Sequence, residues 1–200
     1  MPKISAPTYN AEIDELKEYV KQAYNSTAKK IAHQIYRGHL RSISTDIEDG
    51  IALFVSKLLP NHKILIDPSI KVASKTHRPD IMVVNEKDEV VAVIEIKANM
   101  GWCRDASNVV EHIVDCDNIF KQANTLTCAI SNQPSHTVLY PSNVKLFLIA
   151  LTQGNCSAGR HTENKKYATS NNISYFNLFN GWYNSLTNAE IASFIAELVK

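Results

Sequence analysis

The chain has 200 residues, 44% of them hydrophobic and 20% charged, with a net charge of +1 and only 6 glycines and 7 prolines. That composition excludes a disordered, collagen-like or low-complexity polymer, and a chain of this length buries roughly 70% of its unfolded surface, enough for a core without disulfides or structural metal. No apolar run approaches a membrane span or a signal-peptide core, and Cys103, Cys116, Cys128 and Cys156 are irregularly spaced, so a cytoplasmic protein with reduced thiols is expected.

In chain order, residues 11–37 are expected to be helical, because Ile13, Leu16, Val20, Tyr24, Ala28, Ile31 and Ile35 recur every three or four positions. A second helix is expected over 45–59, with Ile47, Ile51, Phe54, Val55 and Leu58 as its stripe and Pro60 as its stop. The period then changes. Residues 63–66, 81–84 and 90–96 are apolar and β-branched, with the polar stretch 85–89 as a hairpin loop between the last two. Uninterrupted apolar runs of this kind suit strands covered on both faces.

Residues 107–126 are expected to form a helix, 144–151 a buried strand, 173–178 a weaker strand and 188–199 a closing helix. The stretches 154–166 and 170–172 have the polarity of surface loops. Without a repeat or linker, one domain of 200 residues is expected, with a helical region over 1–40, a core over 45–151 and a C-terminal part over 152–200. The fold class is α/β, a mixed central sheet between helical layers in the order α-β-β-β-α-β.

The charge is unevenly distributed. Residues 26–78 carry nine Lys/Arg against four Asp/Glu, residues 80–117 three against nine, and residues 121–200 six against three. An acidic middle between basic flanks suits a cation site set in a surface that tolerates a polyanion; ordinary solvated faces suit it equally.

One stretch departs from core-building: Pro79-Asp80 opens one apolar strand, and Glu95-Ile96-Lys97 ends the next. At a period of two, Glu95 and Lys97 project from one face about 6.6 Å apart, and a hairpin brings Asp80 beside Glu95. Buried charges are costly unless paired or bound to metal. Two converging carboxylates with an adjacent ammonium make a hard oxygen site for Mg²⁺, with Mn²⁺ able to substitute, plus a group that orients a water, which is what phosphodiester hydrolysis needs. The plainer reading is an ion pair at a strand end.

This Pro-Asp…Glu-x-Lys pattern resembles the signature of the PD-(D/E)xK nuclease superfamily, and type II restriction endonucleases in particular. The resemblance covers about residues 45–151. It implies a restriction-endonuclease-like core in which Asp80, Glu95 and the Ile96 carbonyl hold Mg²⁺ while Lys97 positions or activates the attacking water, giving 5′-phosphate and 3′-hydroxyl ends. It also implies a homodimer on double-stranded DNA and a possible metal role for Glu48, although Thr45 to Glu48 reads equally well as a capping box. Rival expectations are a repair or recombination nuclease of the junction-resolvase kind and a non-catalytic nucleic-acid-binding domain.

Around the motif, Arg78, Arg104 and Lys121 are candidates for phosphate contacts, and Asn99, Trp102 and Arg104 for base contacts. His77 is a candidate proton carrier, though a solvated loop histidine is the commoner case. His112, Cys116 and Cys103 lack both zinc-site spacing and a fourth ligand, so zinc is not expected. Ser157 and His161 lack a nucleophile elbow, so a hydrolytic triad is not expected either.

Overall fold

A computed structural model describes residues 9–29, 44–99, 106–130, 134–152, 156–180, 185–186 and 188–200. Helix α1 spans Asn10–Lys29 and α2 Ser44–Leu58. The strands β1 Lys63–Ile66, β2 Ser69–Val72, β3 Lys75–His77, β4 Ile81–Val84 and β5 Val90–Asn99 follow. Then come α3 Ser107–Ala123, β6 Thr125–Ala129, β7 His136–Leu139, β8 Lys145–Thr152, α4 Ala158–Ser170, β9 Ile173–Asn180, β10 Ser185–Leu186 and α5 Asn188–Leu198. No helix among the described residues is long and apolar enough to cross a membrane.

The architecture is α/β, with a mixed central sheet flanked by helices. Six strands run in the order β1-β4-β5-β8-β9-β10. The pairs β1–β4, β4–β5 and β9–β10 are antiparallel, whereas β5–β8 and β8–β9 are parallel. Two of the apolar runs are covered on both faces: all four residues of β4 are buried, and all of β8 except Lys145. The run 63–66, expected to be covered in the same way, is not: in β1 only Leu65 is buried and Ile66 is exposed, because β1 is the edge strand beside β4. On one face Ile81, Val83, Ile94, Phe147 and Ile149 pack with Leu16 and Val20 of α1, Ile51 and Phe54 of α2, and Phe194 of α5. On the other, Met82, Val93, Leu148 and Tyr175 pack with Val110 and Phe120 of α3, Ala168 of α4, and Ile70, Leu126 and Val138.

Those last three residues belong to a second sheet, of order β3-β2-β6-β7. It departs from the expected element order, since β2 and β3 are inserted between the first two strands of the main sheet and β6 and β7 follow α3. A further correction concerns 154–166, expected as a loop: from Ala158 onward it is helix α4, capped by Ser157, whose Oγ accepts from Arg160 N at 3.2 Å. The stretch 170–172 is the end of that helix and the turn that follows it. The expected first helix ends at Lys29 as far as it is described, and residues 30–37 lie outside the described residues.

The contact between α1 and α2 depends on Gly50. A Cβ built there would lie 2.5 Å from Cδ1 and 2.8 Å from Cε1 of Tyr19. Gly50→Ala improves helix propensity by up to about 1 kcal/mol, but overpacking costs about 1–3 kcal/mol. A fall in melting temperature of a few degrees is therefore expected. In a Tyr19→Ala background the same substitution should become neutral or stabilising, and an equal fall in both backgrounds would remove the steric explanation.

Candidate active site

The hairpin β4–β5 places the acidic motif. Its register pairs Ile81 with Ile94, so Asp80, one residue before β4, falls opposite Glu95. Asp80 Oδ2 accepts from the backbone N–H of Ile96 at 2.6 Å, fixing the carboxylate against β5. The Asp80 carbonyl accepts from the N–H of Asp67 at 2.8 Å, which continues the β1–β4 pairing past Ile66. Glu95 and Lys97 share a face, as the period of two requires, and Lys97 Nζ lies 2.5 Å from Glu95 Oε1. Their side chains are 12% and 30% exposed respectively, so the pair sits at a rim, neither in bulk solvent nor sealed.

Electrostatically the site is an excess of carboxylates. Burial, then repulsion from Glu95, pushes the Asp80 carboxyl from 3.8 up to about 7, against the opposing pull of the Ile96 hydrogen bond and Lys97. The Glu48 carboxyl is also raised, by burial, then by Asp67, with Asp49 and Glu95 adding and Lys97 opposing. Glu48 on the first turns of α2 therefore faces the same charges as Asp80, from a different element. The expected capping box at Thr45 is corrected: α2 begins at Ser44, which makes Thr45 a helical residue and not the cap.

Asp67 is a neighbour that sequence reading missed. It turns the chain out of β1 with a φ of 44°, and its carboxylate lies 3.9 Å from the Arg78 guanidinium. The only sequence signal was its position directly after an apolar strand, but which strand β1 would join was not readable.

Among the flanking candidates, Arg78 is exposed beside Asp67. Lys121 has another partner: its ammonium is 2.6 Å from Asp117, which is buried and also accepts from Tyr140 Oη at 3.0 Å. Asp117 thus ties α3 to Tyr140 and pairs with Lys121. Asn99 ends β5, opposite Thr152, and its side chain is outside the description. Trp102, Cys103 and Arg104 lie outside the described residues. His77 packs edge-on against Phe120 at 5.6 Å, with Nδ1 3.4 Å from Cys116 Sγ, so it is no solvated loop residue. His161 is buried, with Nδ1 2.7 Å from Tyr175 Oη, and no triad forms with Ser157, which caps α4.

Two mutually repelling carboxylates, partly buried and sharing one ammonium, are a donor set that a doubly charged hard cation would neutralise. Among the described residues no three His, Cys, Asp or Glu side chains are already disposed about one metal-sized point. The residues that would hold such a cation are Asp80, Glu95 and the Ile96 carbonyl, and Glu48 is near enough to feel the charges of Glu95 and Lys97. Comparison of the chain with protein-family models, curated proteins and solved structures finds no match.

Proposed function

We propose that the protein is a Mg²⁺-dependent endonuclease that hydrolyses phosphodiester bonds of double-stranded DNA, a type II restriction enzyme on a restriction-endonuclease-like core. The observation that carries this reading is the pairing of β4 with β5, which sets Asp80 against the Ile96 amide and puts Glu95 and Lys97 on one face at the end of the hairpin. Asp80, Glu95 and the Ile96 carbonyl would hold the cation, and Glu48 would support them. When bound, Mg²⁺ polarises the scissile phosphate and makes its bound water more acidic. Lys97, tethered to Glu95, orients the attacking water and offsets charge that builds on the phosphate. Asp80, clamped by the Ile96 amide, keeps its carboxylate aimed without a rotamer search.

The basic balance of residues 26–78 and 121–200 supports a polyanionic partner. A homodimer follows from the need for one active site per strand, and a cytoplasmic location from the reduced thiols expected of the sequence.

Incubation with plasmid and phage DNA tests the proposal. Discrete fragments are expected with Mg²⁺ or Mn²⁺ and none with EDTA, and Ca²⁺ should support binding without turnover. Preferential cutting of branched junctions would favour the repair nuclease instead. Metal-independent cutting, or full activity in Glu95→Gln, would end the proposal. Glu48→Gln should slow cleavage about ten- to a hundred-fold without lowering the melting temperature, the loss typical of a supporting partner, and wild-type rates at every Mg²⁺ concentration would remove Glu48 from the site.

A further inference from the structure

The β2–β3 hairpin has no role in the chemistry just described, yet both of its ends lie at the site. The chain leaves the main sheet at Asp67 and returns to it at Asp80, and the Asp67 N–H donates to the Asp80 carbonyl at 2.8 Å, so the two ends of the insertion are held together. Residues 68–79 carry Lys71, Lys75 and Arg78 and no Asp or Glu. A wholly positive segment therefore begins and ends at carboxylates.

The hairpin is anchored at its base and exposed towards its tip. Pro68 and Pro79 are both buried, Ile70 is fully buried opposite Cys128 of β6, and His77 is pinned by its edge-on contact with Phe120. Lys71 pairs with Thr76 and Val72 with Lys75, which leaves Ala73 and Ser74 as a two-residue tip, with a φ of 52° at Ala73. Alternation along the strands puts Lys71 and Thr76 on the face away from Ile70, and Lys75 on the other face beside the tip. Lys71, Lys75 and Arg78 are all exposed. Arg78 has Asp67 at 3.9 Å, whereas Lys71 and Lys75 form no ion pair among the described residues. Like charges on so short a hairpin repel one another, and a polyanion laid across them removes that repulsion.

We propose that the β2–β3 hairpin is the phosphate-backbone contact of this protein: Lys71 and Lys75, with Arg78 at the base, take the phosphates of duplex DNA that flank the bond presented to Asp80 and Glu95. The inference rests on the nuclease reading and localises its partner. A site built of carboxylates repels DNA, so an adjacent positive element is what brings the duplex to it. Lysine ammoniums meet phosphates as point charges and carry no base readout, so the contact is independent of sequence. Because the hairpin is ordered before DNA arrives, binding restricts little beyond the lysine side chains themselves.

Titration of a labelled duplex of arbitrary sequence with the full chain in EDTA, at several salt concentrations, tests this without cleavage. Each phosphate contact contributes about 0.9 to the slope of log affinity against log salt, so Lys71→Ala and Lys75→Ala should each lower the slope by about one and weaken binding about tenfold at about 0.1 M salt. Both side chains are exposed, so melting should not change. Lys87→Ala, an exposed substitution in the loop between β4 and β5, should bind as wild type does. With Mg²⁺ present, the loss should appear in KM and shrink at low salt. Unchanged affinity and slope in the Lys71→Ala, Lys75→Ala double variant, or an equal loss in Lys87→Ala, would overturn the inference and leave the nuclease reading in place. Hairpin-dependent binding by a chain that cuts no DNA would do the opposite. A wild-type chain that binds no duplex even at low salt would overturn the inference.

Discussion

Asp80→Asn is expected to abolish metal-dependent DNA cleavage while raising the melting temperature of the metal-free protein by about 3–6 °C at pH 8. The two effects have one origin. The Asp80 carboxylate is partly buried beside Glu95, so ionising it in the folded state costs free energy that the unfolded chain does not spend. The sign follows from the proton balance. Because the folded carboxyl titrates near 7 instead of 3.8, the penalty grows as pH rises between those values and is complete above the upper one.

Asparagine keeps an oxygen for the Ile96 amide and removes the repulsion. A gain of about 1–2 kcal/mol, well below the full shift because the group keeps some exposure, corresponds to the stated rise. The gain should be smaller at pH 5 than at pH 8. Mg²⁺ should raise the melting temperature of the wild type but not of the variant. Calorimetry at the two pH values with and without Mg²⁺ decides it, and a variant that melts below wild type at pH 8 would contradict the electrostatic account.

Phe147→Ala is expected to cost about 3–5 kcal/mol, a large share of the roughly 5–15 kcal/mol typical of a folded domain. Phe147 is 1% exposed on β8, which pairs with β5 on one side and β9 on the other. Its ring meets Phe194 of α5 edge-on at 5.6 Å and Phe176 of β9 at 6.2 Å, so truncation opens a void that three elements line. A lower denaturant midpoint with an unchanged slope is the expected observation, and Phe147→Leu should recover most of the loss. A shift under 1 kcal/mol for the alanine variant would mean that the surrounding rings collapse into the space.

Much of the central sheet was legible because its strands are buried on both faces, which leaves uninterrupted runs such as 81–84 and 145–152 in the sequence. The second sheet was not. β6 alternates exposed and buried along Thr125–Ala129, and Thr127 and Thr137 face each other across β6 and β7, so polar residues hide short strands among turns. Helix α4 buries His161, Asn164 and Ala168 and has no apolar stripe for periodicity to detect. Asp80, Glu95 and Lys97 stood out because charge at the end of an apolar strand needs a reason. Asp67 and the contact between His77 and Cys116 depend on pairings across the inserted β2–β3 hairpin, and no local pattern encodes those.

The antiparallel pairing of β4 with β5 has a kinetic consequence. Asp80 and Glu95 meet through the five residues 85–89, whereas Glu95 reaches its parallel partner Leu148 only after α3, β6 and β7 have been traversed. Closing the short loop costs less chain entropy, so the hairpin is expected to form early, with the two carboxylates meeting before most of the core exists. Their repulsion then acts on the climb to the transition state, whereas the burial of Asp80, the larger cause of its raised pKa, is completed on the descent. In stopped-flow refolding at pH 8, Asp80→Asn should move the folding limb upward and also slow unfolding, while Phe147→Ala should act mainly on unfolding. A faster folding limb in the asparagine variant would mean that the paired carboxylates set the folding speed, and a shift confined to unfolding would place the hairpin late.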